Sequence, residues 1–94
     1  MYGAAPLKKT SIDYFASLDL VLFNIYGMSE TTGGHSLHSF GKFNFDSAGF
    51  CLPGADLKIG NPDENGEGEI LMRGRNIMMG YLKNDQSTMD TIDS

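Results

Sequence analysis

Between Tyr26 and Thr31 an aromatic ring, a glycine, a methionine, a hydroxyl, a carboxylate and a second hydroxyl follow one another directly. Tyr26 offers a flat π-face of the kind on which a nucleobase stacks. Gly27 allows a backbone or a ligand to come close. Ser29 and the nearby backbone N–H groups suit a phosphate. Glu30 supplies an anionic oxygen, and Mg²⁺ takes one or two carboxylates together with phosphate oxygens and water. In this order the residues fit one end of an ATP·Mg²⁺ site. On residue types alone, an ordinary strand-to-loop turn with Tyr26 in the core fits them as well.

Other chemistries fit less well. Gly27-Met28-Ser29-Glu30-Thr31 has the strand-then-serine form of a nucleophile elbow, but Thr31 stands where the second glycine belongs. His35 and His38 follow closely and could act as a base for Ser29, although packing or surface roles suit them better. This leaves a serine hydrolase as the alternative enzyme. Gly41-Lys42 is not a phosphate loop, because Ser36 replaces the first glycine and Phe43 the hydroxyl residue. Gly66-Glu67-Gly68 begins like a dinucleotide fingerprint, but Leu71 breaks it and it lies in a hairpin.

The elements that must hold the central stretch can be read from the pattern. Pro6 keeps Ala5 out of the helical region, so Met1 to Pro6 is a loop feeding a helix. Leu7 to Leu18 carries an imperfect apolar face through Ile12, Phe15 and Ala16, and Asp19 ends it. Leu20 to Tyr26 is nearly continuous in apolar residues, the signature of a strand buried on both faces. Gly27 is expected to break that strand, and Ser29 to Thr32 to open a short helical turn. Gly33 to Gly41 shows no period and reads as loop, Lys42 to Phe45 is too short to assign, and Ser47 to Gly54 is a turn-rich connection. Ala55 to Gly60 and Glu67 to Arg73 alternate on either side of Asn61-Pro62-Asp63-Glu64-Asn65-Gly66, which predicts a β-hairpin with a long acidic loop. Gly74 to Tyr81 is a compact apolar turn. Asn84 or Asp85 can cap a final helix over Gln86 to Ile92. The fold class is therefore mixed α/β: helix, buried strand, loop, hairpin, terminal helix.

Composition narrows the partners. Ninety-four residues make at most one small domain, and 40% hydrophobic content is globular. A net charge of −5 with scattered basic residues argues against nucleic acid. Asp63, Glu64, Glu67 and Glu69 read as a solvated loop and strand edge, not as a metal site. Cys51 is the single cysteine, which excludes an internal disulfide, fits a reducing compartment, and reads as a small buried residue. No apolar run reaches the roughly 18 residues of a spanning helix.

Four segments together carry a family resemblance. Asn24-Ile25-Tyr26-Gly27-Met28-Ser29-Glu30 resembles the Asn-x-Tyr-Gly-x-Thr-Glu motif of the adenylate-forming enzymes, the acyl-CoA synthetase and luciferase superfamily. Gly3-Ala4-Ala5-Pro6-Leu7 resembles their Gly-Gly-Ala-Pro-Leu loop. Gly49 through Pro53-Gly54 is similar to their Gly-x-Pro-x-Pro-Gly connection. Gly68-Glu69-Ile70-Leu71-Met72-Arg73-Gly74, through Gly80-Tyr81, resembles their Gly-Glu-Ile-x-x-Arg-Gly…Gly-Tyr segment. With Ser29 for the usual threonine, the central motif looks most like the bubblegum-type long-chain fatty acid–CoA ligases.

The resemblance implies roles. Tyr26 would stack on adenine, Gly27 and Met28 would line the acyl and adenylate pocket, and Ser29 would bond the α-phosphate. Glu30 would hold Mg²⁺ and Thr31 would support the phosphate end. Gly3, Ala4, Ala5 and Pro6 would border the adenine and acyl pocket. The hairpin and Gly80-Tyr81 would be scaffold. The implied substrates are a long-chain fatty acid, ATP and coenzyme A. The implied location is the cytoplasm, with peripheral association of the full-length protein at intracellular membranes left open. The family's Ser/Thr/Gly-rich phosphate loop, its Thr-Gly-Asp ribose motif and its C-terminal domain with the catalytic lysine have no match here. Residues 1–94 are therefore expected to be part of an adenylation domain, inactive and marginally folded when alone. A small nucleotide-binding module and a non-catalytic interaction remnant stand as the other readings.

Overall fold

A computed structural model describes residues 1–41 and 44–93. Helix α1 (Lys9–Ala16) is shorter than its apolar pattern suggests, because only Ile12 on it is buried. Asp19 adopts a left-handed conformation at φ 57° and closes the helix. Its N–H bonds the Ala16 carbonyl at 3.1 Å and the Leu20 N–H bonds the Phe15 carbonyl at 3.1 Å, the two bonds of a Schellman motif.

The segment after it departs from expectation. Leu20 to Tyr26 is not one strand buried on both faces. Regular pairing begins only with β1 (Ile25–Met28), and Leu20 and Val21 are 51% and 59% exposed. The reason lies in its neighbours. On one side β1 pairs with β2 (Gly33–Leu37); on the other, among the described residues, the chain makes a single parallel bridge, Tyr2 to Asn24. That bridge is made by Tyr2 N–H to the Phe23 carbonyl at 2.8 Å and Ile25 N–H to the Tyr2 carbonyl at 2.9 Å. The apolar residues before β1 instead line an open cavity of about 350 Å³ with Ile12, Phe40 and Phe45.

Gly27 does not break β1; it lies inside it. A Cβ there would stand 1.8 Å from the Gly33 carbonyl oxygen, so the residue is glycine because the β2 backbone fills that space. Residues 33–37, read as loop, are a strand. Their lack of period has a physical cause. The register runs Tyr26 to Ser36 and then Gly27 to Gly34, so His35 is an extra, bulged residue that interrupts the alternation of faces. Strand β3 (Phe50–Cys51) completes the antiparallel order β1-β2-β3. Cys51 is exposed on this edge strand rather than buried. Of the unassigned stretch Lys42 to Phe45, the first two residues lie outside the described ones.

The hairpin forms as its alternation predicts. Strands β4 (Ala55–Gly60) and β5 (Glu69–Gly74) pair over six positions, from Ala55–Gly74 to Gly60–Glu69. The Asp63 carboxylate accepts the N–H groups of Asn65 and Glu67 at 2.8 and 2.9 Å, so this acidic residue shapes the turn. The remaining loop acids are exposed. Helix α2 (Asp85–Thr91) is capped by Asn84, whose side-chain oxygen accepts the Ser87 N–H at 3.1 Å.

What sits at the centre is polar. Among the described residues the buried apolar side chains are Ile12 and Ala55, whereas Thr31, His35, Ser36 and His38 are all buried. Buried polar groups are tolerated when they are hydrogen-bonded. His35 meets that condition across the two sheets, at the Asp56 carbonyl of β4, whereas Thr31, Ser36 and His38 bond backbone groups at Met28 and Gly33, Ala48, and Asn24.

Candidate functional site

The site begins where β1 ends. Ser29–Thr31 forms one turn of 3-10 helix directly after Met28, and Thr32 follows in the left-handed conformation at φ 56°. This lifts Ser29 to an exposed position and leaves Glu30 partly exposed beside it. Thr31 turns inward. Its hydroxyl accepts the Met28 N–H at 3.1 Å and lies 3.0 and 2.9 Å from the Met28 and Gly33 carbonyls. Only 2% of Thr31 is exposed, so its hydroxyl is a clasp for the turn and not a group presented to a phosphate.

The N-terminal loop meets the same strand. Gly3 lies against Ile25, where a Cβ would come within 2.6 Å of both the side chain and the carbonyl oxygen. Tyr2 and Gly3 therefore anchor the loop at the edge of β1 opposite β2, and Ala4, Ala5 and Pro6 run on from them exposed. Ala4 sits at φ 64°, a left-handed conformation at the position matching the second glycine of the family loop. Tyr26 is half-buried in β1 and Met28 is 42% exposed at its end.

Residues distant in sequence hold the turn from the other side. The Met78 N–H donates to the Glu30 carbonyl at 2.8 Å. Asn76 donates its side-chain amide to the Thr31 carbonyl at 3.0 Å, and its own carbonyl accepts the Thr32 hydroxyl at 2.6 Å. The Tyr81 hydroxyl donates to Glu30 Oε1 at 2.6 Å. That bond, with help from the backbone of Glu30 itself, holds the Glu30 carboxyl below its ordinary range. The same bond, followed by desolvation, pushes the Tyr81 phenol above its ordinary range.

His35 is the pin between the sheets. It is fully buried; Nε2 lies 2.8 Å from the Asp56 carbonyl on β4, and Nδ1 lies 3.3 Å from the Asn76 amide. With a carbonyl at one nitrogen and an amide donor at the other, the tautomer carrying its hydrogen on Nε2 satisfies both contacts. His38 is 2% exposed, and its Nδ1 accepts the Asn24 N–H at 3.1 Å. Both histidines are packing residues engaged by the backbone, while Ser29 faces solvent. The geometry offers Ser29 no histidine base and does not support a hydrolase.

For a metal, Glu30 stands without a ligand cluster: among the described residues no group of three or more His, Cys, Asp or Glu is gathered. A carboxylate standing alone in this way can serve a cation only as one ligand among others supplied from outside the chain's acidic and histidine side chains. The sequence does not announce Asn76, Thr32 or the contact of Tyr81 with Glu30. Only Tyr81 carries a sequence signal, the Gly-Tyr pair, to which the resemblance assigns a scaffold role.

The sequence model described as AMP-binding enzyme matches residues 1–82. The chain belongs to this AMP-binding enzyme family. Over 91 residues, 97% of its length, the chain is 40% identical to long-chain-fatty-acid–CoA ligase ACSBG2 of Xenopus laevis. It is 40% identical over 92 residues to long-chain-fatty-acid–CoA ligase ACSBG1 of Homo sapiens, covering 98% of this chain. It is 46% identical over 90 residues to long-chain-fatty-acid–CoA ligase heimdall of Drosophila melanogaster, covering 96% of it. The chain spans 12–13% of the length of these relatives.

Among solved structures, VinN superposes with a TM-score of 0.76 at 29% identity, over 94% of this chain and 24% of that one. Unliganded O-succinylbenzoate coenzyme A synthetase of Bacillus subtilis superposes with a TM-score of 0.79 at 24% identity, over 98% of this chain and 21% of that one. The second likeness bears on the fold alone. The mixed α/β fold and the bubblegum-type resemblance read from the sequence are both borne out.

Proposed function

We propose that this AMP-binding chain is part of a long-chain fatty acid–CoA ligase and supplies one wall of its adenylation site. The observation that carries the reading is the 3-10 turn. It presents the Ser29 hydroxyl and the Glu30 carboxylate together, one residue past the end of β1, in a chain whose relatives bear that ligase name. In this reading the fatty carboxylate oxygen attacks the α-phosphorus of ATP, the bond to pyrophosphate breaks, and an acyl-adenylate forms. The thiolate of coenzyme A then attacks the acyl carbon, and AMP leaves.

The chain's own residues act by placement. The half-buried Tyr26 ring faces the adenine, and the exposed Ser29 hydroxyl donates to an α-phosphate oxygen. Gly27 and Met28, with the Gly3 to Pro6 loop anchored on Ile25, border the adenylate and acyl group. Glu30 would hold Mg²⁺, which supplies charge neutralisation at the phosphates. Thr31 serves indirectly, by closing the turn. The phosphate loop, the ribose-binding aspartate and the catalytic lysine would lie outside residues 1–94, and the reaction would take place in the cytoplasm. The 94 residues alone are then expected to form no acyl-adenylate.

The test is a graft. The chain replaces its matching segment in the Xenopus laevis ligase, and formation of acyl-CoA from a long-chain fatty acid, ATP and coenzyme A is followed. The graft should be active. Glu30→Gln and Tyr26→Ala should each lower kcat/KM, the former by about a hundredfold or more. An active graft indifferent to Glu30→Gln would remove the carboxylate from the mechanism. ATP titrated against the isolated chain and its Tyr26→Ala variant tests separately whether this wall alone retains nucleotide affinity.

A further inference from the structure

Four hydrogen bonds join the Glu30 turn to the segment 76–81. Three of them fix backbone: Asn76 to Thr31, Thr32 to Asn76, and Met78 to Glu30. They set where the Glu30 Cα lies but leave its side chain free to rotate. The fourth, from Tyr81 Oη to Glu30 Oε1 at 2.6 Å, reaches the carboxylate itself.

We propose that Tyr81 is a positioning residue whose hydroxyl fixes the Glu30 carboxylate in the orientation that meets a metal-bound triphosphate. The inference rests on the reading of Glu30 as the metal-holding residue. Tyr81 is suited to the task because it is itself anchored. Its N–H donates to the Thr88 hydroxyl at 2.9 Å, and that hydroxyl donates to the Asn84 carbonyl at 3.0 Å at the start of α2. The chain of bonds runs from the cap of α2, through a ring with two side-chain torsions, to one carboxylate oxygen. Glu30 would otherwise lose its own rotational freedom on meeting a cation. Partners that orient a ligating carboxylate in this way commonly govern metal affinity. A purely space-filling residue would need the ring but not the hydroxyl, which separates the two roles.

The experiment titrates Mn²⁺ into the graft of this chain in the Xenopus laevis ligase, with ATP present and no fatty acid, reading free Mn²⁺ by electron paramagnetic resonance. Wild type, Tyr81→Phe, Glu30→Gln and Asn76→Ser are compared. Tyr81→Phe should weaken ATP-dependent Mn²⁺ binding by about tenfold. Glu30→Gln should weaken it further, and adding Tyr81→Phe to Glu30→Gln should change nothing more. Slow exchange of the Met78 amide in Tyr81→Phe shows that the turn is still held. Asn76→Ser loosens the turn without touching the carboxylate, so it should lower the unfolding midpoint and leave Mn²⁺ affinity within about twofold of wild type. No ATP-dependent Mn²⁺ binding by wild type, or binding unchanged by Glu30→Gln, overturns the metal reading and the proposal with it. Binding weakened by Glu30→Gln but unchanged by Tyr81→Phe overturns the positioning role alone. Equal weakening by Asn76→Ser and Tyr81→Phe also overturns it, because rigidity of the turn would then explain both.

Discussion

Gly27→Ala tests how the site is built. A methyl group there would lie 1.8 Å from the Gly33 carbonyl oxygen, 2.7 Å from its carbon and 2.9 Å from the Gly34 Cα. All three are backbone atoms, so no side chain can swing aside. Bringing the nearest contact to 3.0 Å requires β1 and β2 to separate by about 1.2 Å at the bulge. Such a gap takes the adjacent N–H···O bonds beyond useful length. Losing two ladder bonds at roughly 1 kcal/mol each, with overpacking of roughly 1–3 kcal/mol, predicts a total cost of about 3–5 kcal/mol. Against a stability at or below the low end of the usual range of roughly 5–15 kcal/mol, that cost would remove most of the fold. Two buried apolar side chains among the described residues give little reserve. Urea unfolding followed by far-ultraviolet circular dichroism near the temperature of maximal stability, about 10–20 °C, measures the difference. Gly33→Ala is the control: it meets no atom within 4 Å and suffers only from its φ of 102°. A Gly27→Ala midpoint equal to wild type, or a smaller effect than Gly33→Ala, would refute the close approach of β2 on which the geometry of the turn depends.

Three further outcomes are expected. Ala4→Gly relieves a left-handed alanine at φ 64° and should stabilise the chain by about 0.5–1 kcal/mol in the same urea titration, after allowing for the added freedom of glycine when unfolded. Cys51, exposed on β3, should react with a thiol reagent such as 5,5′-dithiobis(2-nitrobenzoate) without denaturant; a thiol that reacts only in urea would place it inside. The stability difference between wild type and Tyr81→Phe should follow pH with a defined sign. The folded Glu30 carboxyl titrates below its ordinary 4.5, so its contribution is present above 4.5 and is lost as pH falls through the lowered value. The folded Tyr81 phenol titrates above its ordinary 10.0, so its contribution is present below 10.0 and is lost as pH rises through the raised value. Unfolding midpoints of the two proteins should differ by a constant amount between those limits and converge outside them.

The parts legible in the sequence are those in which the signal lies within a few residues. The hairpin follows from alternation on either side of Asn61-Pro62-Asp63, and the start of α2 from the Asn84 cap. The helical turn at Ser29 follows from its polar run after an apolar one. Gly27 as a strand breaker failed, and so did three further expectations, for reasons that local pattern does not contain. Strand β2 was hidden because the bulge at His35 destroys its alternation. Leu20 to Phe23 looked like a central strand because apolar content reports burial without naming the neighbours that supply it. Cys51 looked buried by residue type, whereas its position on an edge strand exposes it.

The sequence by itself determined the family, through four short segments, and the residue types at the site: an aromatic, a hydroxyl and a carboxylate within five positions. Only the tertiary structure decided how they are held. Thr31 turns inward, His35 pins the two sheets, and Tyr81 reaches Glu30 across 51 residues of chain. Residue type and spacing fix what chemistry a stretch of chain can offer. Which groups remain free for that chemistry, and which are taken up by backbone, depends on segments that meet only when the chain has folded back on itself.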